Sequence, residues 1–156
     1  MKNYIDKLRE KVGHQNIILN FAVGIIFNSE GKILLQKRGD SQKWGLPGGA
    51  VELDESFDET VQREVFEETG LKIKIKKLLG VYSGKKYQEI IKNCDEYQPV
   101  VVAFYAEVIE GEQKLTDNDE TLSLKYYSKD QLPEIHNKQH KDMISDAFNN
   151  KFGTWK

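Results

Sequence analysis

Residues 49–71 read GAVELDESFDETVQREVFEETGL, and three of the carboxylates near the end of this stretch, Glu64, Glu67 and Glu68, are spaced to share one side of a helix. At about 100° of turn per residue, Glu67 lies about 60° behind Glu64 and Glu68 about 40° ahead of it. Like charges that close destabilise an isolated helix by a few tenths of a kcal/mol per pair, so the arrangement needs a compensating cation. The flanks define the helix. Ser56 with Glu59 three residues on is a capping box, Phe57, Val61 and Val65 form an apolar stripe, and Gly70 is a stop signal. Glu64 and Glu68 fall beside the stripe and Glu67 further round, which places the acids along the border of the buried face. Gly48 and Gly49, just upstream, give a backbone that can come close to a ligand. An all-oxygen carboxylate set suits Mg²⁺ or Mn²⁺ better than Zn²⁺, which prefers nitrogen and sulfur.

This stretch resembles the signature of the Nudix hydrolase superfamily (MutT-like), G-x5-E-x7-R-E-U-x-E-E-x-G-U with U a large aliphatic residue. Gly49, Glu55, Arg63, Glu64, Val65, Glu67, Glu68, Gly70 and Leu71 fill its fixed positions, and Trp44-Gly45-Leu46-Pro47-Gly48-Gly49 is similar to the lead-in typical of the family. The resemblance implies an α/β/α sandwich and a Mg²⁺-dependent attack of water on a nucleoside diphosphate linked to another group: a nucleoside triphosphate, a nucleotide sugar or a dinucleoside polyphosphate. Carried over position by position, Glu64, Glu67, Glu68 and the carbonyl of Gly49 are the metal ligands. Glu64 or a loop carboxylate is the base, and Arg63 and Glu55 complete the catalytic set by pairing with each other. Outside the signature, Glu120 is the candidate for a further acid from a distant loop, and the placement of Tyr87 resembles that of dinucleoside polyphosphate hydrolases. Trp44, Tyr82 and Phe104 are aromatic candidates for stacking on a base.

The remainder of the chain bounds this reading. A length of 156 residues with 38% hydrophobic content is one domain's worth, taken as residues 1–156. Tyr4, Ile5, Leu8 and Val12 mark a helical extension within residues 1–16 that pads the core or meets a second subunit in a homodimer. With 23 basic against 25 acidic residues there is no excess of positive charge for duplex nucleic acid. The apolar run from Ile17 to Phe27 is too short to span a bilayer, and the start of the chain has no apolar signal core, so a cytoplasmic protein off the membrane is expected. Cys94, the one cysteine, reads as a spectator, and His14, His136 and His140 are scattered without ligand spacing.

Strands are expected over Phe21–Phe27 and Ile33–Gln36, joined as a hairpin by Asn28-Ser29-Glu30-Gly31. Further extended segments follow over Lys72–Lys76, Leu78–Tyr82, Val100–Val108 and Leu122–Tyr127, with a closing helix over Lys138–Phe148. The polar stretch from Gly84 to Tyr97 reads as a loop near the substrate. Strands on both sides of one internal helix, with another helix at the end, give an α/β fold with a mixed sheet packed between helices. Two alternatives to a small-nucleotide hydrolase are a non-catalytic nucleotide sensor of the same fold and an RNA 5′-end pyrophosphohydrolase. Retention of every signature glutamate argues against the first, and the absent basic surplus against the second.

Overall fold

The computed structural model describes residues 3–90, 95–115 and 119–156; Cys94 lies outside them. Its elements run α1 (Tyr4–Val12), β1 (Ile17–Ile26), β2 (Ile33–Arg38), β3 (Trp44–Gly45), β4 (Gly48–Ala50), α2 (Phe57–Thr69), β5 (Lys72–Tyr82), β6 (Glu89–Ile90), β7 (Glu96–Glu110), β8 (Thr121–Tyr127), α3 (Lys138–Phe148) and β9 (Thr154–Trp155). No helix among the described residues is long and apolar enough to cross a membrane.

A six-stranded mixed sheet has the order β4-β1-β7-β5-β9, with β6 on β7; a second sheet has the order β3-β2-β8. The turn between β1 and β2 forms, with the Asn28 N–H on the Lys32 carbonyl at 2.9 Å. The hairpin does not. Apart from one bridge between Phe27 and Ile33, the strands enter different sheets, because both edges of β1 are taken. One is paired in parallel with β7 along its whole length and the other is antiparallel to β4, so β2 pairs with β3 and β8 instead. The two extended segments after α2 merge into the single strand β5, which absorbs register shifts between Ile75 and Lys77 and between Leu78 and Gly80.

Alternation along β1 and β2 divides the core between two faces. Ala22, Ile26 and Leu34 pack with Val61 and Val65 of α2. Val23, Ile25, Ile33 and Leu35 pack with Met143, Ile144 and Ala147 of α3. Burying each valine of α2 completely contributes about 2 kcal/mol, enough to outweigh the repulsion along its acidic edge. The result is an α/β/α sandwich, with β4 beside β1 bringing Gly48–Ala50 against α2 and opening a cavity between the sheets.

Candidate active site

Local signals set the acidic helix in place. The Glu59 carboxylate accepts from the Ser56 N–H at 2.9 Å while the Glu59 N–H donates to the Ser56 hydroxyl, closing the capping box. At the other end Gly70 adopts the left-handed conformation and its N–H donates to the Phe66 carbonyl. With the Val61–Val65 stripe on the sheet, burial of the acids is graded: Glu68 is 8% exposed, the Glu64 side chain 17% and the Glu67 side chain 56%.

Glu68 accepts from the Gly48 N–H at 2.8 Å and bonds the Gln36 side chain, yet burial, helped by the charge of Glu64, pushes its carboxyl up to about 8. Burial also raises Glu64, against the pull of Arg63. Glycine at position 49 lets the Glu64 carboxylate lie where it does: a Cβ there would fall 2.3 Å from its carboxyl carbon and push it aside. Arg63 joins the loop to the helix. Its Nη2 donates to Glu55 at 2.9 Å and to the Ala50 carbonyl at 3.2 Å, and its Nε also meets Glu55. Its Nη1 reaches Glu64 at 2.8 Å and Glu67 at 3.3 Å. That pairing is the main reason the Glu55 carboxyl is held down to about 2, with the Thr60 hydroxyl and the Glu52 N–H as further donors.

Arg63 is thus the positive charge among the acids. Among the described residues no three Asp, Glu, His or Cys side chains converge on one point, since Glu64 and Glu67 turn to the guanidinium. The donor set still fits a hard divalent cation. It consists of oxygen alone, and two of its carboxylates are buried at a cost that a nearby positive ion would offset.

Glu64 and Glu68 open onto a cavity of about 490 Å³, which Glu67 does not line. Glu120 lines it near enough to Glu64 for their charges to repel. Trp44 and Tyr87 do not line it. The Trp44 ring packs edge-on against Tyr127 with centroids 5.0 Å apart. Tyr87 is a core residue whose hydroxyl donates to Asp142 at 2.8 Å. Tyr82 and Phe104 are likewise packed into the two core clusters. These rings fill space between sheet and helices, and none of the four lines the cavity.

Other residues line the cavity. Arg38 forks onto Asp40 through Nε at 3.0 Å and Nη2 at 2.8 Å, and its charge is felt by Glu68, His136 and His140. His136 and His140, read as scattered, meet with ring centroids 5.8 Å apart. Their four-residue separation across the start of α3 was an available signal. A second was Gln36, a polar residue inside an apolar strand, which is 1% exposed and accepts from the Thr121 hydroxyl at 2.7 Å. Glu89 and Tyr97, from the segment expected near the substrate, also line the cavity.

Residues 19–147 match the NUDIX domain family. The chain is 37% identical over 125 residues to a putative 8-oxo-dGTP diphosphatase of Bacillus subtilis, covering 80% of this chain and 76% of that protein. It is 35% identical over 154 residues to an ADP-ribose pyrophosphatase of Methanocaldococcus jannaschii, covering 92% and 86%. A solved MutT NUDIX hydrolase from Burkholderia pseudomallei shares the fold with a TM-score of 0.70 at 26% identity, over 83% of this chain and 97% of its own. With the signature intact on a capped helix at the floor of a nucleotide-sized cavity, the chain belongs to the Nudix family of hydrolases.

Proposed function

We propose that the protein hydrolyses a phosphoanhydride bond in a nucleoside diphosphate joined to a further group, with Mg²⁺ as its ion and Mn²⁺ able to replace it. The observation that carries this reading is the placement of Glu68, buried, and Glu64, half-buried, against the Gly48–Ala50 strand, which sets at the edge of a cavity two carboxyl groups that burial makes costly to ionise without a nearby cation. Hydrolases of this family work with a divalent cation; here Glu64, Glu67, Glu68 and the Gly49 carbonyl would hold it. When bound, such an ion screens the charge of diphosphate oxygens and makes water a better nucleophile at neutral pH.

The protein supplies geometry and a proton acceptor. The oxygen of water forms a bond to phosphorus, the bridging P–O bond breaks, and the proton of the water passes to a carboxylate of Glu64 or Glu120. Arg63, held by Glu55, keeps the loop and the acidic face at a fixed separation, a positioning role. The two relatives are named for 8-oxo-dGTP and ADP-ribose, both nucleoside diphosphates carrying a further group. The same reading has residues 1–156 working as one domain in the cytoplasm on a small nucleotide, not on duplex nucleic acid or a membrane. The residue 1–16 extension would face a second subunit.

The test is a panel of nucleoside triphosphates, nucleotide sugars and dinucleoside polyphosphates incubated with protein and Mg²⁺ and resolved by chromatography. Release of a nucleoside monophosphate from at least one is expected, and no turnover across the panel would refute the reading.

A further inference from the structure

Two adjacent side chains of α3 are buried, line the cavity, and end in a polar atom that has no partner among the described residues. In His140, Nδ1 lies 3.0 Å from the Leu46 backbone N. A backbone N–H can only donate, so Nδ1 carries the lone pair and the ring proton sits on Nε2. Burial, with the charge of Arg38 adding, keeps the ring neutral by pushing its pKa down to about 3. His140 is therefore a fixed donor, 8% exposed. In Gln139 the amide nitrogen donates to the Tyr82 carbonyl at 2.9 Å and to the Pro99 carbonyl at 3.5 Å. Two carbonyls on the nitrogen side fix the amide, and Oε1 is left as an acceptor on a residue 3% exposed.

A buried polar group without a partner is costly and rare in a folded protein. Here one fixed donor and one fixed acceptor belong to neighbouring residues that line the same cavity, in a part reached by the Arg38 charge. Phe21 and Tyr97, rings tilted at 41° with centroids 5.9 Å apart, add an aromatic wall to that cavity. A polyphosphate offers mainly acceptors and leaves Gln139 unsatisfied, and a sugar hydroxyl gains little from an aromatic wall. A planar heterocycle with a ring acceptor and an N–H donor satisfies all three.

We infer that His140 and Gln139 form a nucleobase subsite, with His140 Nε2–H donating to an acceptor on the base and Gln139 Oε1 accepting from an N–H of the base. This rests on the proposed nucleotide hydrolysis and adds the part of the substrate that is recognised. Because neither group can exchange donor for acceptor, a base with the reverse order leaves both unpaired. Rejection of such a base by at least about a hundredfold follows.

The test measures kcat/KM for the four ribonucleoside triphosphates, the corresponding nucleoside diphosphate-riboses and ribose 5-triphosphate, which has no base. Wild-type protein is expected to prefer one base over another, and its best nucleotide over ribose 5-triphosphate, by at least about a hundredfold. In His140→Phe and Gln139→Met the nucleotide-to-ribose-triphosphate ratio is expected to drop about tenfold or more, mainly through KM. Melting is followed alongside, since loss of fold lowers both substrates together and leaves the ratio. If neither variant folds, wild-type protein with purine ribonucleoside triphosphate, which lacks exocyclic groups, decides the matter by the same tenfold criterion. Equal cleavage of ribose 5-triphosphate and every nucleotide, or an unchanged ratio in folded variants, overturns the subsite while leaving the reaction standing. Cleavage of none of these compounds overturns the subsite for want of a recognised base, and only the further absence of turnover on other nucleotide sugars and dinucleoside polyphosphates fails the hydrolase reading with it.

Discussion

Replacing Glu68 by glutamine separates what the acidic floor costs from what it does. Burial lifts the Glu68 carboxyl from 4.5 to about 8, so between those values the native protein keeps a proton that the unfolded chain has released. Stability is therefore complete below about pH 4.5, falls as pH rises, and levels off above about pH 8. At about 1.4 kcal/mol per pH unit, the loss is on the order of 3 kcal/mol at pH 7 and 5 kcal/mol at pH 8. Glutamine has no proton to lose and keeps an acceptor for the Gly48 N–H, now bonded at 2.8 Å. Its amide nitrogen meets the Gln36 side chain that bonds Glu68, a mismatch costing about 1 kcal/mol. Glu68→Gln is thus expected to be near neutral at pH 5, about 2 kcal/mol more stable than wild type at pH 7, and about 4 kcal/mol more stable at pH 8. Urea denaturation of both proteins in excess chelator at the three pH values measures this. The same substitution is expected to lower turnover by at least about a hundredfold, roughly 2.7 kcal/mol of transition-state stabilisation. A stability difference that stays constant with pH, or a variant less stable at pH 8, would refute the reasoning.

Excess chelator is expected to abolish hydrolysis and Mg²⁺ or Mn²⁺ to restore it; full activity in chelator would remove the metal from the mechanism. Glu67→Gln, at an exposed position, is expected to cut turnover at least about a hundredfold while changing stability by less than about 0.5 kcal/mol, read by steady-state kinetics and melting. Activity is expected to fall in the order wild type, Arg63→Lys, Arg63→Ala, because lysine keeps the charge without the fork that holds Glu55 and Ala50. A double-mutant cycle with Glu55→Gln, scored by melting without nucleotide, is expected to show coupling of about 1 kcal/mol or more, and a value under about 0.3 would mean the two act independently. Since Arg63 holds Glu55 at about 2 in the native state, this pair stabilises the fold above about pH 4.5 and ceases to as pH falls toward 2. Acid denaturation of Glu55→Gln should lack that part of the slope, on the order of 2 kcal/mol after discounting for side chains 18% and 29% exposed.

The acidic helix was legible in the sequence because everything that makes it is local. Ser56 and Glu59 cap it, Val61 and Val65 bury it, and Gly70 ends it within one short stretch. The bonds that shape its acidic side, Gly48 to Glu68 and Arg63 to Glu55, span 20 and 8 residues. The pairing of β2 was not legible, since a strand's partners depend on which edges remain after β7, distant in sequence, has claimed β1. The packing of Tyr87 was not legible for the same reason: its hydroxyl partner, Asp142, is 55 residues away, and nothing near Tyr87 marks it as core. The recognition side of the cavity is more distant still, with Leu46 and His140 separated by 94 residues and Gln139 reaching Tyr82 across 57. In the proposed reaction the chemistry of the bond broken thus falls to a contiguous segment that any sequence reading can find. In the proposed subsite choice of substrate falls to side chains from β1, β7 and α3 that meet only once the sandwich has closed. Arg38 links the two, because its charge acts on Glu68 at the acidic floor and on His140 at the base subsite. A substitution there should alter selectivity and turnover together, whereas one at Gln139 should act on selectivity first.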